Sequence, residues 1–410
     1  MQQRNKKVLV GAINMENKKN SIYSWIALII ILLAATAAPM AMFKVPTVMS
    51  TICEEFAINA TQGGLVFSIF SLVPIFLAIP AGLIVARYGN WKLGLVALAC
   101  LIGGSIIGIY CKSLTPLLIS RIIEGIAMTL LATIGPNIVN QLFKPEQRGK
   151  AMGLFLCYIA LGQTVMYNVS PYIVNLFGGW RSVWWFTAIY SAVFMVLWLF
   201  ILKKADKPET VILETKEDKM SIRSVLMNMD IWIITIVFIL FMIGLQGALN
   251  FLSTFFSEVK GMNSAQATQI VGLQGIIGCV ALVLSGIISD KLNSRKWMTI
   301  VLLIICGGVY ASIPFFPISA AVFVVLLLGF FSNMVPSVVF AAIPEVNEDS
   351  STIGLAIGIL TTGQFVGIFL STILFGMFVD NVGWSAAYIF AGATAILAAL
   401  LMFGVKKVKR

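Results

Sequence analysis

The sequence predicts an all-helical integral membrane protein with twelve crossings, built as two six-helix bundles in tandem and related by a pseudo-two-fold axis. Three observations carry this expectation. The chain is apolar: 59% of its 410 residues are hydrophobic and 11% are charged, where a soluble protein carries about 25% charged residues. Its apolar stretches reach the roughly 20 residues that a helix needs to span a bilayer. The chain also matches itself at a fixed offset. Gly82…Arg87-Tyr88-Gly89-Asn90-Trp91-Lys92 returns as Gly286…Asp290-Lys291…Arg295-Lys296, Asn59-Ala60-Thr61-Gln62 returns as Asn263-Ser264-Ala265-Gln266, and Gly179-Trp180 returns as Gly383-Trp384. The differences 286 − 82, 263 − 59 and 383 − 179 all equal 204.

In chain order, residues 1–22 form a polar tail and residues 23–202 a first bundle, with spans near 23–50, 61–86, 93–111, 116–141, 150–175 and 183–202. Residues 203–229 are charged and polar and read as a linker, with a short amphipathic helix near Ser221–Met229. Residues 230–404 form the second bundle, with spans near 230–256, 264–289, 296–314, 319–342, 352–379 and 384–404; residues 405–410 are a second tail. Spans 2 and 8 both open on Asn-x-x-Gln, in which Asn caps the first helical N–H groups and Gln reaches back, as in a capping box.

Charge placement sets the orientation. Of the 28 Lys and Arg, 23 fall in the two tails and in alternate loops on one side. The positive-inside rule then puts both ends in the cytoplasm of a multi-pass protein of the cell inner membrane. Lys18-Lys19, an apolar run and Ala35-Thr36-Ala37 imitate a secretory signal. Removing that segment would leave the first half one helix short of its duplicate, so the span is expected to stay; Met15 is an alternative start.

Composition also excludes chemistry. With no histidine, there is no imidazole proton relay, His-ligated metal or His-activated nucleophile. The six cysteines are scattered without CxxC spacing and read as small buried residues. No Gly-x-x-x-x-Gly-Lys loop is present, so no nucleotide drive is expected within the chain, and neither cofactor nor metal is expected. The net charge of +11 sits between apolar spans, a membrane pattern and not a nucleic-acid face.

Gly82, Arg87, Gly89 and Lys92 after span 2, with Gly286, Asp290, Lys291, Arg295 and Lys296 after span 8, resemble the loop motif of the major facilitator superfamily. Arg121-x-x-Glu124-Gly125 in span 4 is similar to that family's Arg-x-x-Gln-Gly, and Pro145-Glu146-x-Arg148-Gly149-x-Ala151-x-Gly153 to its loop after span 4. The resemblance covers nearly the whole chain and implies a monomeric secondary transporter, gated by the loop charges Arg87, Lys92, Arg148, Asp290, Lys291 and Arg295. One departure matters. The acidic position of the first loop motif is Ala86, so Asp290 is the expected latch, acting on the start of span 5 near Gly149–Ala151. Span 5 carries Ala160-Leu161-Gly162-Gln163 in place of the pattern of proton-driven drug exporters, and the spaced-glycine nitrate-transporter signature is missing. Phe43-Lys44-Val45-Pro46, followed by Glu54-Glu55-Phe56, is similar to cyanate-permease-type members.

Few ionisable groups fall inside the spans: Lys44, Arg121 and Glu124. A charge at mid-membrane depth costs about 2.5–3.5 kcal/mol on insertion scales and usually faces a wet cavity. Lys44 has Ala248 as its repeat partner and is flanked by Pro39 and Pro46. It reads either as the ammonium that draws an anion into a central cavity or as a side chain snorkelling to the outer surface. Arg121 and Glu124, three apart, share a helix face. They read as a structural pair, or as an anion contact and the proton carrier. Tyr158, Gln163, Gln246, Asn250, Gln274, Asn333 and Gln364 complete the candidate substrate lining. Few cations among amides suit a small organic or inorganic anion: a monocarboxylate, a dicarboxylate or a cyanate-like ion. It would move by alternating access with protons or in exchange for another anion. The alternative is a proton-coupled exporter of amphiphilic drugs or metabolites. A membrane enzyme would need a clustered nucleophile, acid–base pair or metal set, and a transporter-like sensor a sizeable soluble domain; the sequence offers neither.

Overall fold

The computed structural model describes the backbone of residues 22–202, 225–292, 294–346 and 352–406. Most of the linker lies outside the described residues, including Ser221–Ser224 of the amphipathic helix expected over Ser221–Met229. Twelve described helices are long and apolar enough to cross a membrane. Spans 1 to 6 are Tyr23–Thr47, Ala60–Leu77, Asn90–Tyr110, Leu114–Leu142, Gln147–Phe177 and Arg181–Phe200. Spans 7 to 12 are Met229–Glu258, Ser264–Leu282, Arg295–Phe315, Ile318–Val346, Ile353–Asn381 and Trp384–Met402. Twelve crossings put Tyr23 and Lys406 on one face of the molecule, the near face; the opposite face is the far face.

Local chemistry explains where these helices stop. Span 1 ends at Thr47, earlier than the expected 50, because Pro46 supplies no N–H and the chain turns at Val48 before restarting as Met49–Phe56. Span 7 breaks in the same way at Phe251, between Met229–Asn250 and Leu252–Glu258. The two break residues are 251 − 48 = 203 apart, one short of the repeat offset. Asn59 and Gln62 form the full capping box at the start of span 2, with Gln62 N donating to Asn59 Oδ1 at 2.9 Å and Asn59 N to Gln62 Oε1 at 3.2 Å. At span 8, Asn263 Oδ1 accepts from Ala265 N (3.0 Å) and Gln266 N (3.4 Å).

The duplication governs packing. In the first half, spans 1 and 5, 2 and 4, and 3 and 6 lie against each other; in the second half the pairs are 7 and 11, 8 and 10, and 9 and 12. The halves meet along two seams, span 2 with span 11 and span 5 with span 8, which the pseudo-two-fold axis exchanges. The first seam is tight enough to demand glycine. A Cβ on Gly64 would lie 2.2 Å from the Thr372 carbonyl oxygen, and one on Gly376 would lie 2.7 Å from the Ala60 carbonyl oxygen. Outside the bundles, large apolar side chains such as Phe76, Leu83, Leu176, Phe177 and Phe200 are exposed, as a hydrocarbon environment requires.

On the far face, Glu55 ties the short helix Met49–Phe56 to the start of span 6. Its carboxylate accepts from Trp180 Nε1 (2.6 Å) and Arg181 Nη1 (2.9 Å), and the Arg181 hydrogen bond holds it below the usual carboxylate range. A group whose pKa is lowered by folding stabilises above its unfolded pKa and loses that contribution as pH falls through the folded value. Thermal unfolding of Glu55→Gln should therefore lie below wild type at neutral pH, by under about 1 kcal/mol for so exposed a pair. The difference should vanish on acidification.

Candidate functional site

The three in-span charges form one cluster inside the first bundle. Pro46 begins the chain of causes. Lacking an N–H, it cannot pair with the carbonyl four residues back, at Met42. Arg121 from span 4 takes up that region: Nη1 donates to Ala41 O at 2.7 Å and Nη2 to Met42 O at 3.5 Å, while Nε donates to Val66 O of span 2 at 3.3 Å. The guanidinium lies 4.8 Å from the Phe70 ring centroid. Gly125 allows this closeness, since a Cβ there would meet the Phe70 carbonyl oxygen at 2.2 Å.

Glu124 serves both cations. One carboxylate oxygen accepts from Arg121 Nη1. The other accepts from Lys44 Nζ at 2.6 Å and from Ser105 Oγ at 2.7 Å. Lys44 Nζ also lies 3.2 Å from Ser105 Oγ and 3.3 Å from Thr187 Oγ1, and sits 4.3 Å from the centroid of Trp184. Lys44, Arg121 and Glu124 are each 0% exposed. With all three ionised, the cluster carries one positive charge in excess.

Sequence reasoning offered Lys44 either a cavity wall or the outer surface. It occupies neither, but lies among spans 1, 3, 4 and 6 with its charge opposed. Ser105, Thr187 and Trp184 were missed as its partners. A signal for them existed in the repeat. At 204 residues on, Lys44, Ser105, Arg121, Glu124 and Thr187 become Ala248, Val309, Val325, Leu328 and Ala391. The second half carries apolar residues at every one of these positions.

The amide candidates sort by seam. Gln163 and Gln274 meet across the halves, with Nε2 of the first donating to Oε1 of the second at 2.6 Å. Asn250 Nδ2 donates to the Gln246 carbonyl (2.7 Å) and side chain (3.0 Å) within span 7. Asn333 Nδ2 donates to Gly329 O at 2.8 Å. Tyr158 is buried and stacks on Phe155, while Gln364 is partly exposed. Tyr167, not singled out from sequence, packs beside Phe43 and Gly272 along the span 5–span 8 seam. Its hydroxyl and Asn250 Oδ1 are buried polar atoms without a hydrogen-bond partner among the described residues.

The family model described as Major Facilitator Superfamily matches residues 29–352. The chain belongs to the major facilitator superfamily. It is a multi-pass membrane transporter of that family. The hexuronate transporter of Bacillus subtilis is 24% identical over 374 residues, covering 85% of this chain and 86% of that protein. The MFS transporter cpaT of Aspergillus oryzae is 30% identical over 154 residues, or 37% of this chain and 30% of that one. In fold, the chain is similar to the crystal structure of a bacterial homologue of the human lysosomal transporter Spinster, solved in an inward-facing and occupied conformation. That likeness has a TM-score of 0.76 at 15% identity and covers 94% of this chain and 97% of the other.

As a superfamily member the chain keeps its loop charges on the near face. Arg148 donates to Asn140 O (3.1 Å) and Phe143 O (3.2 Å), closing the end of span 4. Arg295 pairs with Glu345 at 2.8 Å. These bonds stay within one half. Arg87 is exposed and lies over the Tyr88 ring, and Lys92 is exposed. The side chains of Asp290 and Lys291 lie outside the described residues. Among the described residues, the polar bonds that join the halves gather at mid-depth and on the far face, including Ser253 Oγ to Pro46 O at 3.3 Å.

Removing one partner of a buried ion pair costs about 3–5 kcal/mol. Glu124→Ala leaves two unopposed cations and should lower the detergent-solubilised protein's unfolding midpoint the most. Lys44→Met leaves the neutral Arg121–Glu124 pair and should cost well under half as much. Equal losses in the two variants would contradict the shared-carboxylate arrangement.

Proposed function

We propose that this transporter moves a small organic or inorganic anion, a carboxylate or a cyanate-like ion, across the cytoplasmic membrane by alternating access. Movement is coupled to protons through Glu124 or to exchange of a second anion. The observation that carries this reading is the buried cluster of two basic side chains on one carboxylate. The hexuronate transporter among its relatives supports an anionic substrate. The cations of the tails and alternate loops orient the near face to the cytoplasm.

The proposed coupling follows from the sharing of one carboxylate. Arg121 is held by three backbone carbonyls besides Glu124, whereas Lys44 has only hydroxyls and a ring besides it. A proton on Glu124 removes the cluster's only negative charge and leaves Lys44 the less restrained cation. An arriving anion restores the balance, so proton and anion bind with mutual advantage, as linkage requires. Tyr167 and Asn250, with unmet polar atoms, and the Gln163–Gln274 bridge are the proposed contacts for the uncharged part of the substrate. A second reading, transport of an amphiphilic drug or metabolite, is favoured by the complete burial of all three charges. That burial leaves the Gln163–Gln274 amides and the Tyr167 ring as groups described along the span 5–span 8 seam.

Flux into proteoliposomes of monocarboxylates, dicarboxylates, cyanate, nitrate and neutral solutes separates the two. Anions should be taken up, and Lys44→Ala should reduce uptake by at least about tenfold, within the usual range of coupling energies. Glu124→Gln should abolish stimulation by a proton gradient while sparing any anion exchange. Unchanged anion uptake in Lys44→Ala, or uptake of neutral amphiphiles alone, would overturn the proposal.

A further inference from the structure

The far-face seam between spans 2 and 11 carries an acid that the transport reading leaves unused. Asp380 lies in the last turn of span 11, in the second half. Its carboxylate accepts from the backbone N–H groups of Ala60 (3.0 Å) and Thr61 (2.9 Å), the first residues of span 2, and from the Thr61 hydroxyl at 2.5 Å. A helix start leaves four N–H groups without internal partners. Here Asn59 satisfies one, at Gln62, and the opposite half satisfies two. Gly376, one turn earlier on span 11, permits the approach. The contact has no counterpart in the repeat. The position 204 residues before Asp380 is Leu176, and span 8 is capped by its own Asn263.

We propose that Asp380 is a latch between the halves. Its carboxylate grips the start of span 2 to hold the far face shut, and it must release Ala60 and Thr61 before the halves part there. Deeper in the seam the packing is tight, at Gly64 against Thr372, but the far face beside Asp380 is not packed solid. A cleft of about 260 Å³ lies beside the latch, lined from both halves by Met49, Cys53, Phe251, Glu258 and Trp384. The latch is thus a polar contact beside a void, on one seam of two. This inference rests on the alternating-access reading but not on the identity or charge of the substrate.

Hydrogen–deuterium exchange of the substrate-free protein in lipid nanodiscs tests it. Asp380→Asn should shift the equilibrium between far-face-closed and far-face-open states by about fivefold, the upper range for a carboxylate at an exposed helix start. Exchange should then rise in the far-face peptides 46–58 and 251–262 and fall in the near-face peptides 142–156 and 334–346. Thr61→Val, which removes one bond and keeps the charge, should give a smaller change of the same sign. Exchange altered only within residues 58–63, or nowhere, would reduce Asp380 to a helix cap and overturn the latch. Because no solute is added, this result is independent of the flux panel. Reciprocal exchange with no anion transported would refute the substrate reading and leave the latch standing.

Discussion

One carboxylate holds the first half together electrostatically. Glu124 has two oxygens; Arg121 takes one, and Lys44 with Ser105 takes the other. None of the three charged side chains touches solvent, so each depends on the other two and on a small set of dipoles for the solvation that water would provide. The surrounding features follow from this need. Gly125 brings span 4 onto span 2, Pro46 frees the Met42 carbonyl for the guanidinium, and Trp184 and Thr187 complete the shell around the ammonium. A wet cavity would not need so complete a shell.

The same cluster shows what duplication contributes. The two halves repeat their helix pairings, and the seams between them exchange under the same pseudo-symmetry. What does not repeat is the charge. The cluster positions become Ala248, Val309, Val325, Leu328 and Ala391 in the second half, and there Tyr388, the counterpart of Trp184, donates to the Ala248 carbonyl at 3.4 Å. Asp380 breaks the repeat in the other direction. The scaffold is shared, and the groups that distinguish one half from the other occupy positions where the copies disagree.

Much of the architecture was legible before any coordinates. Span length, offset and the Asn59–Gln62 box are local or periodic properties, and a sequence records those directly. The contacts around Lys44 were not legible, because they depend on how spans 1, 3, 4 and 6 are rotated about their own axes. Rotation is fixed by packing, here by the close approach at Gly125 and by the Met42 carbonyl that Pro46 leaves open. Asp380 escaped notice for a related reason. An acid at the end of a span reads as an ordinary polar boundary until the opposite half's helix start is seen against it. Tyr167 looked like one more aromatic residue in an apolar span, and only burial exposed its unmet hydroxyl.

Pro46 gives the first span a mechanical character. The turn at Val48 and the carbonyls gripped by Arg121 lie within two helical turns of one another, and Pro46 O is itself touched by Ser253 of the other half. The far-face end of this helix thus bears on the other bundle through Ser253, and its middle bears on the guanidinium. One short segment therefore has the shape of a lever, with one arm resting on the neighbouring bundle and the other on the buried charges.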